Sequence, residues 1–208
     1  MMMSDEMSGA GPGRVPGTMT DTLFAQADDA FAVLSPGTPV AEARAALAGG
    51  LIGVVRNAAG RVVSTVTEAD LAGLDDYAPL GTASLPPAIV ADEDVTFHEY
   101  GASPAVTLLD VGARALVLHD GEEVTAVLPV GAVGAYLASE SYTPPSNVMT
   151  PHGGGAGGGL GRPRTGLAHV VCAEPGCGRV NELASFNRRR LPTCVNRDVP
   201  AHMLRIGV

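Results

Sequence analysis

The 208-residue chain has no lysine and no tryptophan, only four phenylalanines and four tyrosines, and just three cysteines. No apolar run reaches the roughly 18 residues that a membrane-spanning helix needs. Each absence excludes something. The glycine-rich stretch 153–159 is followed by no Lys-Ser/Thr, so it is not a phosphate-binding loop. Gly153, Gly155 and Gly158 do match a dinucleotide fingerprint in spacing, but no strand pattern precedes them, and the stretch reads as a flexible tether. With so few aromatics there is little to stack on single-stranded nucleic acid. The nearest cysteine pair is separated by four residues, longer than the Cys-x-x-Cys of thiol oxidoreductases. No Ser/His/Asp set, paired strand-end carboxylates or open metal site with a base can be placed, so the chain is expected not to be an enzyme. Residues 1–20 lack an apolar core and carry two early acids. They read as a disordered leader rather than a secretory signal, with the start methionine left open and a cytoplasmic location expected.

Charge is present but unevenly spread. The net charge is −9, yet from Leu160 onward eight arginines face only Glu174, Glu182 and Asp198, a net +5 against −14 for the rest. This asymmetry marks the tail as a separate unit and gives the body an acidic field that repels nucleic acid and membrane surfaces. Arg188-Arg189-Arg190 reads as a solvated loop offsetting that field. Its alternative is a contact for phosphate or an acidic partner surface.

Residues 21–142 alternate strand-like and helix-like segments. The stretch "AFAVLS" is a strand stopped by Pro36, Gly37 and Pro39, and Val40–Ala48 has helical composition behind a Thr38-Pro39 start. Gly49-Gly50 ends the helix. Leu51–Val55 is a short strand, "NAAG" turns, "RVVSTV" returns, and Thr67 is placed to cap a helix at "TEADLAGL". The latter part of that order recurs: a strand ending at His119, an Asp120-Gly121 turn, a strand to Leu128, and a helix from Val130. Gly121 matches Gly60 at an offset of 61 residues. Upstream, "PPAIVADED" resembles the opening strand, and Ser103-Pro104 is expected to start the intervening helix. The chain reads as a tandem duplication of one supersecondary unit. A Gly/Pro-rich linker (143–166) then leads to the tail (167–208).

The stretch "TPVAEARAALAGGLIGVVRNAAGRVVSTVTEADL" resembles a cystathionine β-synthase (CBS) domain, and residues 82–140 resemble its degenerate partner. The turn glycine, apolar strand and Thr67-x-x-Asp70 carry the likeness, although Ser64 stands where the family usually has a second strand glycine. The resemblance implies an α/β (α+β) pair of β-α-β-β-α units, copy one about 21–80 and copy two about 81–142. These would pack about a pseudo-twofold axis as a Bateman module, commonly a homodimer. It also implies a cleft for an adenine nucleotide or adenosyl ligand. Thr67 would take phosphate or ribose, Asp70 the ribose hydroxyls, and the backbone of Ala32, Val33, Ile52, Gly53 and Val54 would border the adenine. A helix N-terminus suits phosphate on physical grounds alone. Thr67 with Asp70 is equally a capping-box variant that needs no ligand. In copy two the matching positions are Leu128 and Gly131, or Pro129 and Ala132 with a one-residue shift. At most one nucleotide per chain is therefore expected.

The tail spaces Cys172, Cys177, Cys194 and His202 as C-x4-C, sixteen residues, then C-x7-H. Three thiolates and one imidazole fit tetrahedral zinc, and "GCGRVN" resembles a zinc knuckle. About 42 residues with few aromatics cannot build much core, so a structural metal would supply the stability of a zinc-ribbon-like unit. His169 is the alternative fourth ligand. A Cys172–Cys177 disulfide or three unrelated thiols are the other readings, the disulfide being disfavoured in cytoplasm. His98, His119 and His152 read as surface or turn residues. Two functions follow. One is a ligand-sensing regulator that signals to an unidentified protein through the tail. The other is a structural adaptor whose pair only dimerises while the ribbon binds protein; nucleic acid is the lesser alternative.

Overall fold

The computed structural model describes residues 22–139 and 165–207. The leader at 1–20, the fingerprint glycines, His152 and the linker as far as 164 lie outside the described residues. The fold is mixed α/β. Copy one runs β1 (Phe31–Leu34), α1 (Val40–Ala46), β2 (Ile52–Arg56), β3 (Val62–Val66) and a 3-10 turn at Glu68–Leu71. Copy two runs β4 (Ala88–Asp92), α2 (Phe97–Ala102), a 3-10 helix at Pro104–Val111, β5 (Ala115–Asp120), β6 (Glu123–Pro129) and α3 (Val130–Leu137). In each copy the first two strands pair in parallel and the second and third antiparallel, so the expected repeat is a repeat of topology. Gly60 (φ 75°) and Gly121 (φ 60°) occupy equivalent hairpin turns, where a left-handed backbone favours glycine.

Two expected elements differ. The helix at "TEADLAGL" is only one 3-10 turn: Ala72 is already extended and Gly73 has φ 79°, so the helix has no second turn. Between β4 and β5, the α-helix forms earlier than Ser103-Pro104. Thr96 and Glu99 close a capping box on α2, whereas the segment after Pro104 winds as 3-10 and ends at Gly112, φ 96°.

The basic tail also departs from the expectation of a separate unit. Its strands β7 (Leu167–Val171) and β8 (Val180–Leu183) extend the second sheet, giving the order β6-β5-β4-β7-β8, while β1-β2-β3 form the first sheet. The reason is hydrogen-bonding capacity at β4. Its far edge from β5 is open, and β7 fills it antiparallel, with Ile89 opposite Ala168 and Val90 opposite Leu167.

Alternation then sorts the side chains. On β4, Ile89 and Ala91 face the core built with α2, α3 and the tail. Ala88 and Val90 face the other way, into an apolar layer shared with Val54 and Val62 of the first sheet. On β5, Leu116 and Leu118 likewise face the first core, and Ala115 and Val117 the shared layer. Copy one keeps its own core of Leu34, Val40, Leu47, Val55 and Leu71. A chain truncated at residue 164 should lose β7 from the β4 edge and uncover Ile89 and Val90. The expected outcome is aggregation, or a thermal midpoint lower by several degrees; an unchanged midpoint by calorimetry contradicts this packing.

Candidate functional site

Two polar centres stand out, one at the seam between the copies and one in the tail. At the seam, β3 ends at Val66, opposite Gly53, so Thr67 leaves the sheet beside Ile52. Ala32 pairs with Gly53 and Val33 with Val54, so the five strand residues expected to border a ligand do lie together. Their side chains are not equally available. Val54 is fully buried between the sheets, and a Cβ on Gly53 would meet Leu34 and Val66 at 2.8 Å. Only Val33 is broadly exposed, at 59%.

Asp70 folds back onto Thr67 in a capping box. The Thr67 N–H donates to its Oδ2 (2.8 Å), and so does the Thr67 hydroxyl (2.7 Å). Arg114 of copy two closes on it from across the seam, its Nε 2.9 and 3.0 Å from the two carboxylate oxygens and its Nη2 2.5 Å from Oδ1. The Arg114 N–H donates to the Thr65 hydroxyl (3.1 Å), which itself donates to the Pro87 carbonyl (3.1 Å). Ser64, at the family's glycine position, donates to the Pro86 carbonyl (2.6 Å). Asp70 and Arg114 line a cavity of about 550 Å³ with Pro86, Pro87 and the tail residues Phe186 and Arg188. Thr67 lines a different cavity, about 510 Å³, with Arg44 and Leu51. Thr67 and Asp70 stay bonded to each other as a capping box, while their side chains border two cavities on either side of that bond. In copy two, Leu128 is buried in the core and Pro129 precedes α3 with no side-chain cap.

Arg114 is the participant that sequence reasoning missed. A signal existed: it is the only arginine between Arg61 and Arg162, in an acidic body.

The second centre brings Cys172, Cys177, Cys194 and His202 together, with their ligand atoms all within 4.8 Å of one another. Cys172 Sγ lies 3.4 Å from His202 Nε2, and Cys177 Sγ 3.6 Å from Cys194 Sγ. All three cysteines are free thiols, so the Cys172–Cys177 disulfide is not formed. His169 is excluded from the set by strand alternation. Ala168, Val170 and Cys172 share one face of the β7 segment, whereas His169 points the other way, its Nδ1 2.5 Å from the Val62 carbonyl. His202 Nδ1 sits 2.8 Å from the Pro200 carbonyl, which can only accept, so Nδ1 carries a proton and Nε2 is the ring atom turned to the thiols. The Asn196 amide lies 3.4 Å from Cys177 Sγ, and the Asn181 amide 3.5 Å from Cys194 Sγ. Gly176 and Gly178 flank Cys177 with φ of 78° and 57°. Burial pushes the Cys177 thiol up, but the Arg179 backbone, the Asn196 amide and the neighbouring thiols outweigh it and bring it down to about 6. The donor set suits a thiophilic divalent cation such as zinc, and four protein ligands leave no open position for catalysis.

Of the remaining histidines, His98 is exposed, whereas His119 is largely buried, with its Nε2 3.5 Å from Asp92. Arg189 and Arg190 are exposed, but the Arg188 side chain donates to the Asp110 carbonyl (3.0 Å), so the arginine run is not wholly a solvated loop. No helix among the described residues is long and apolar enough to cross a membrane.

No family model and no curated protein matches the sequence. The chain resembles a set of solved structures, several of them CBS-domain pairs. They include the cytosolic domain of the Mg2+ channel MgtE in complex with ATP (18% identity, 57% of this chain and 49% of that one, TM-score 0.45). Another is a CBS domain pair/ACT domain protein of Thermotoga maritima (17% identity, 56% and 95%, TM-score 0.41). A third is a CBS-pair protein of Arabidopsis thaliana (18% identity, 56% and 93%, TM-score 0.42). At these scores the likeness adds no weight to any ligand or partner, and the tandem unit rests on the chain's own strand order and register.

Replacing Arg114 by alanine should cost about 1–3 kcal/mol at pH 7, toward the low end because the Arg114 side chain is 47% exposed. Burial tends to raise the Asp70 pKa, but its hydrogen bonds to Arg114 and Thr67 hold it below the ordinary 3.8. A carboxylate depressed on folding stabilises above its unfolded value, and that stability is lost as pH falls through the folded value. The difference between wild type and Arg114→Ala should therefore be full at pH 7 and shrink below about 3.8. A pH-independent difference in urea denaturation contradicts this account.

Proposed function

We propose that the chain is a non-catalytic, ligand-sensing regulator. A CBS-like pair takes one adenine nucleotide or adenosyl ligand per chain, and a zinc-held tail presents the resulting state to a protein partner. The observation that carries the reading is the 550 Å³ cavity at the seam, walled by Asp70 of copy one and Arg114 of copy two. A ligand there touches both copies, so it has differential contacts with any two arrangements of them. To accept a ribose diol, Asp70 gives up Arg114, whose guanidinium is then available to a phosphate. The zinc site would be held by Cys172, Cys177, Cys194 and His202 in a structural role, crosslinking a tail with little core of its own. A homodimer is the assembly this reading takes from the family resemblance.

A second reading is favoured by the same ion pair. Asp70 is fully engaged within the protein, which suits an adaptor whose seam is a fixed joint and whose tail alone binds protein.

A thermal-shift panel of AMP, ADP, ATP and S-adenosylmethionine separates the two. Ligand at a hundred times its Kd should add about 2.7 kcal/mol of stability, and Asp70→Ala should abolish the shift. A shift that survives the substitution moves the site away from Asp70, and no shift with any compound leaves the adaptor. For the metal, protein purified without chelator should carry about one zinc per chain with its three thiols protected. A value near zero with three titratable thiols ends the zinc reading.

A further inference from the structure

The tail segments that meet the seam cavity lie close to the Cys/His tetrad in sequence. Cys177 and Cys194 enclose the segment carrying Phe186 and Arg188, and Ile206 lies four residues after His202. From 184 to 207 the described backbone forms no helix or strand, only turns and one isolated bridge, Thr193 to Met203. Its apolar anchoring is limited: Leu204 is buried and Phe186 and Ile206 pack, partly buried, against the main core, whereas Val195 and Met203 are 58% and 55% exposed. Against copy two it makes two polar contacts beside the cavity. The Phe186 N–H donates to the Thr107 hydroxyl (2.8 Å), and Arg188 donates to the Asp110 carbonyl. Three backbone bonds of the segment lie beside the tetrad. Cys194 N–H donates to the His202 carbonyl (3.0 Å), Leu204 N–H to the Pro192 carbonyl (2.9 Å), and Ala173 N–H to the Arg205 carbonyl (2.9 Å). Three thiols and an imidazole within 4.8 Å make only weak contacts with one another, and a cation there would replace them with four bonds.

We propose that metal bound at Cys172, Cys177, Cys194 and His202 holds the tail in place as a wall of the seam cavity, so that metal loading controls access to that cavity. The inference rests on the metal reading of the tetrad and not on the identity of any nucleotide. It couples the two centres through a continuous piece of backbone: β8 holds the start of the loop, the metal at Cys194 and His202 would hold its far side, the loop presents Arg188, and Arg188 holds Asp110 two residues from Gly112 and four from Arg114. Loss of metal frees the loop, withdraws Phe186 and Arg188, and opens the cavity on the tail side while β4, β5 and their shared layer stay paired.

Amide hydrogen exchange on the full chain tests this, with zinc as the only added species. Three samples are compared: zinc-loaded, stripped by a chelator that is then removed, and stripped then reloaded. Stripping should speed exchange at least tenfold in 186–191 and 205–207, and also across the cavity in 110–114, with β4 and β5 unchanged and zinc restoring protection. Acceleration confined to the turns around Cys177 and Cys194 overturns the proposal. So does uniform acceleration of the whole chain, which makes the metal a global staple. If the protein takes up no zinc, the metal reading itself fails, an outcome distinct from zinc uptake that leaves the wall unmoved. Arg188→Ala should keep its zinc and its protection at the tetrad yet lose protection in 110–114; unchanged protection there removes Arg188 as the link.

Discussion

The apolar layer between the two sheets is the contact on which the other features depend. Val54 and Val62 from copy one meet Ala88, Val90, Ala115 and Val117 from copy two, with Leu167 of the tail at the same layer. Each fully buried valine or leucine contributes on the order of 1.5–3 kcal/mol, so this layer outweighs any single polar contact at the seam. It is non-directional, however, and could not by itself set how the copies are aligned. Direction comes from Ser64 and Thr65, whose hydroxyls bond the Pro86 and Pro87 carbonyls, and from Arg114 reaching Asp70. Hydrophobic burial holds the copies together, and a short row of hydrogen bonds fixes their register.

The two polar centres obey opposite rules. At the seam, donors and acceptors are matched within the chain: one carboxylate receives the Thr67 N–H, the Thr67 hydroxyl and a forked guanidinium. Such a centre is complete, and a ligand must compete with Arg114 to use it. In the tail, three sulfurs and an imidazole nitrogen converge, with amide groups of Asn181 and Asn196 aimed at two of the sulfurs. Amide donors near sulfur favour thiolate, and three sulfurs with an imidazole in one place are a donor set that suits a thiophilic cation. The same molecule therefore contains one centre closed by its own residues and one whose chemistry looks outward.

Legibility followed the range of the interaction. The hairpins at Gly60 and Gly121 were readable because a tight turn between apolar strands is specified by adjacent residues. The tetrad was readable because soft ligands at spaced intervals have few other uses, though the choice between His202 and His169 was not. That choice rests on which face of β7 each residue occupies, and strand alternation is known only once the strand is placed. The Asp70–Arg114 pair joins residues 44 apart, from different copies, and nothing local announces it. The tail's attachment was hidden for a similar reason. Charge asymmetry marks a change of composition, whereas the pairing of β7 with β4 is decided by an open backbone edge, which no side chain advertises.

By itself the sequence determined the repeated strand-helix-strand-strand order, the loss of Thr67 and Asp70 equivalents in copy two, and the grouping of Cys172, Cys177 and Cys194 with a histidine. These are consequences of side-chain type and short-range backbone preference, which act before any tertiary contact forms. Only the tertiary structure decided that the tail completes the second sheet, that Arg114 of copy two meets Asp70 of copy one, and that a tail arginine borders the seam. Those outcomes depend on which backbone edges remain open and which charges meet after the sheets have packed, and both are properties of the assembled chain.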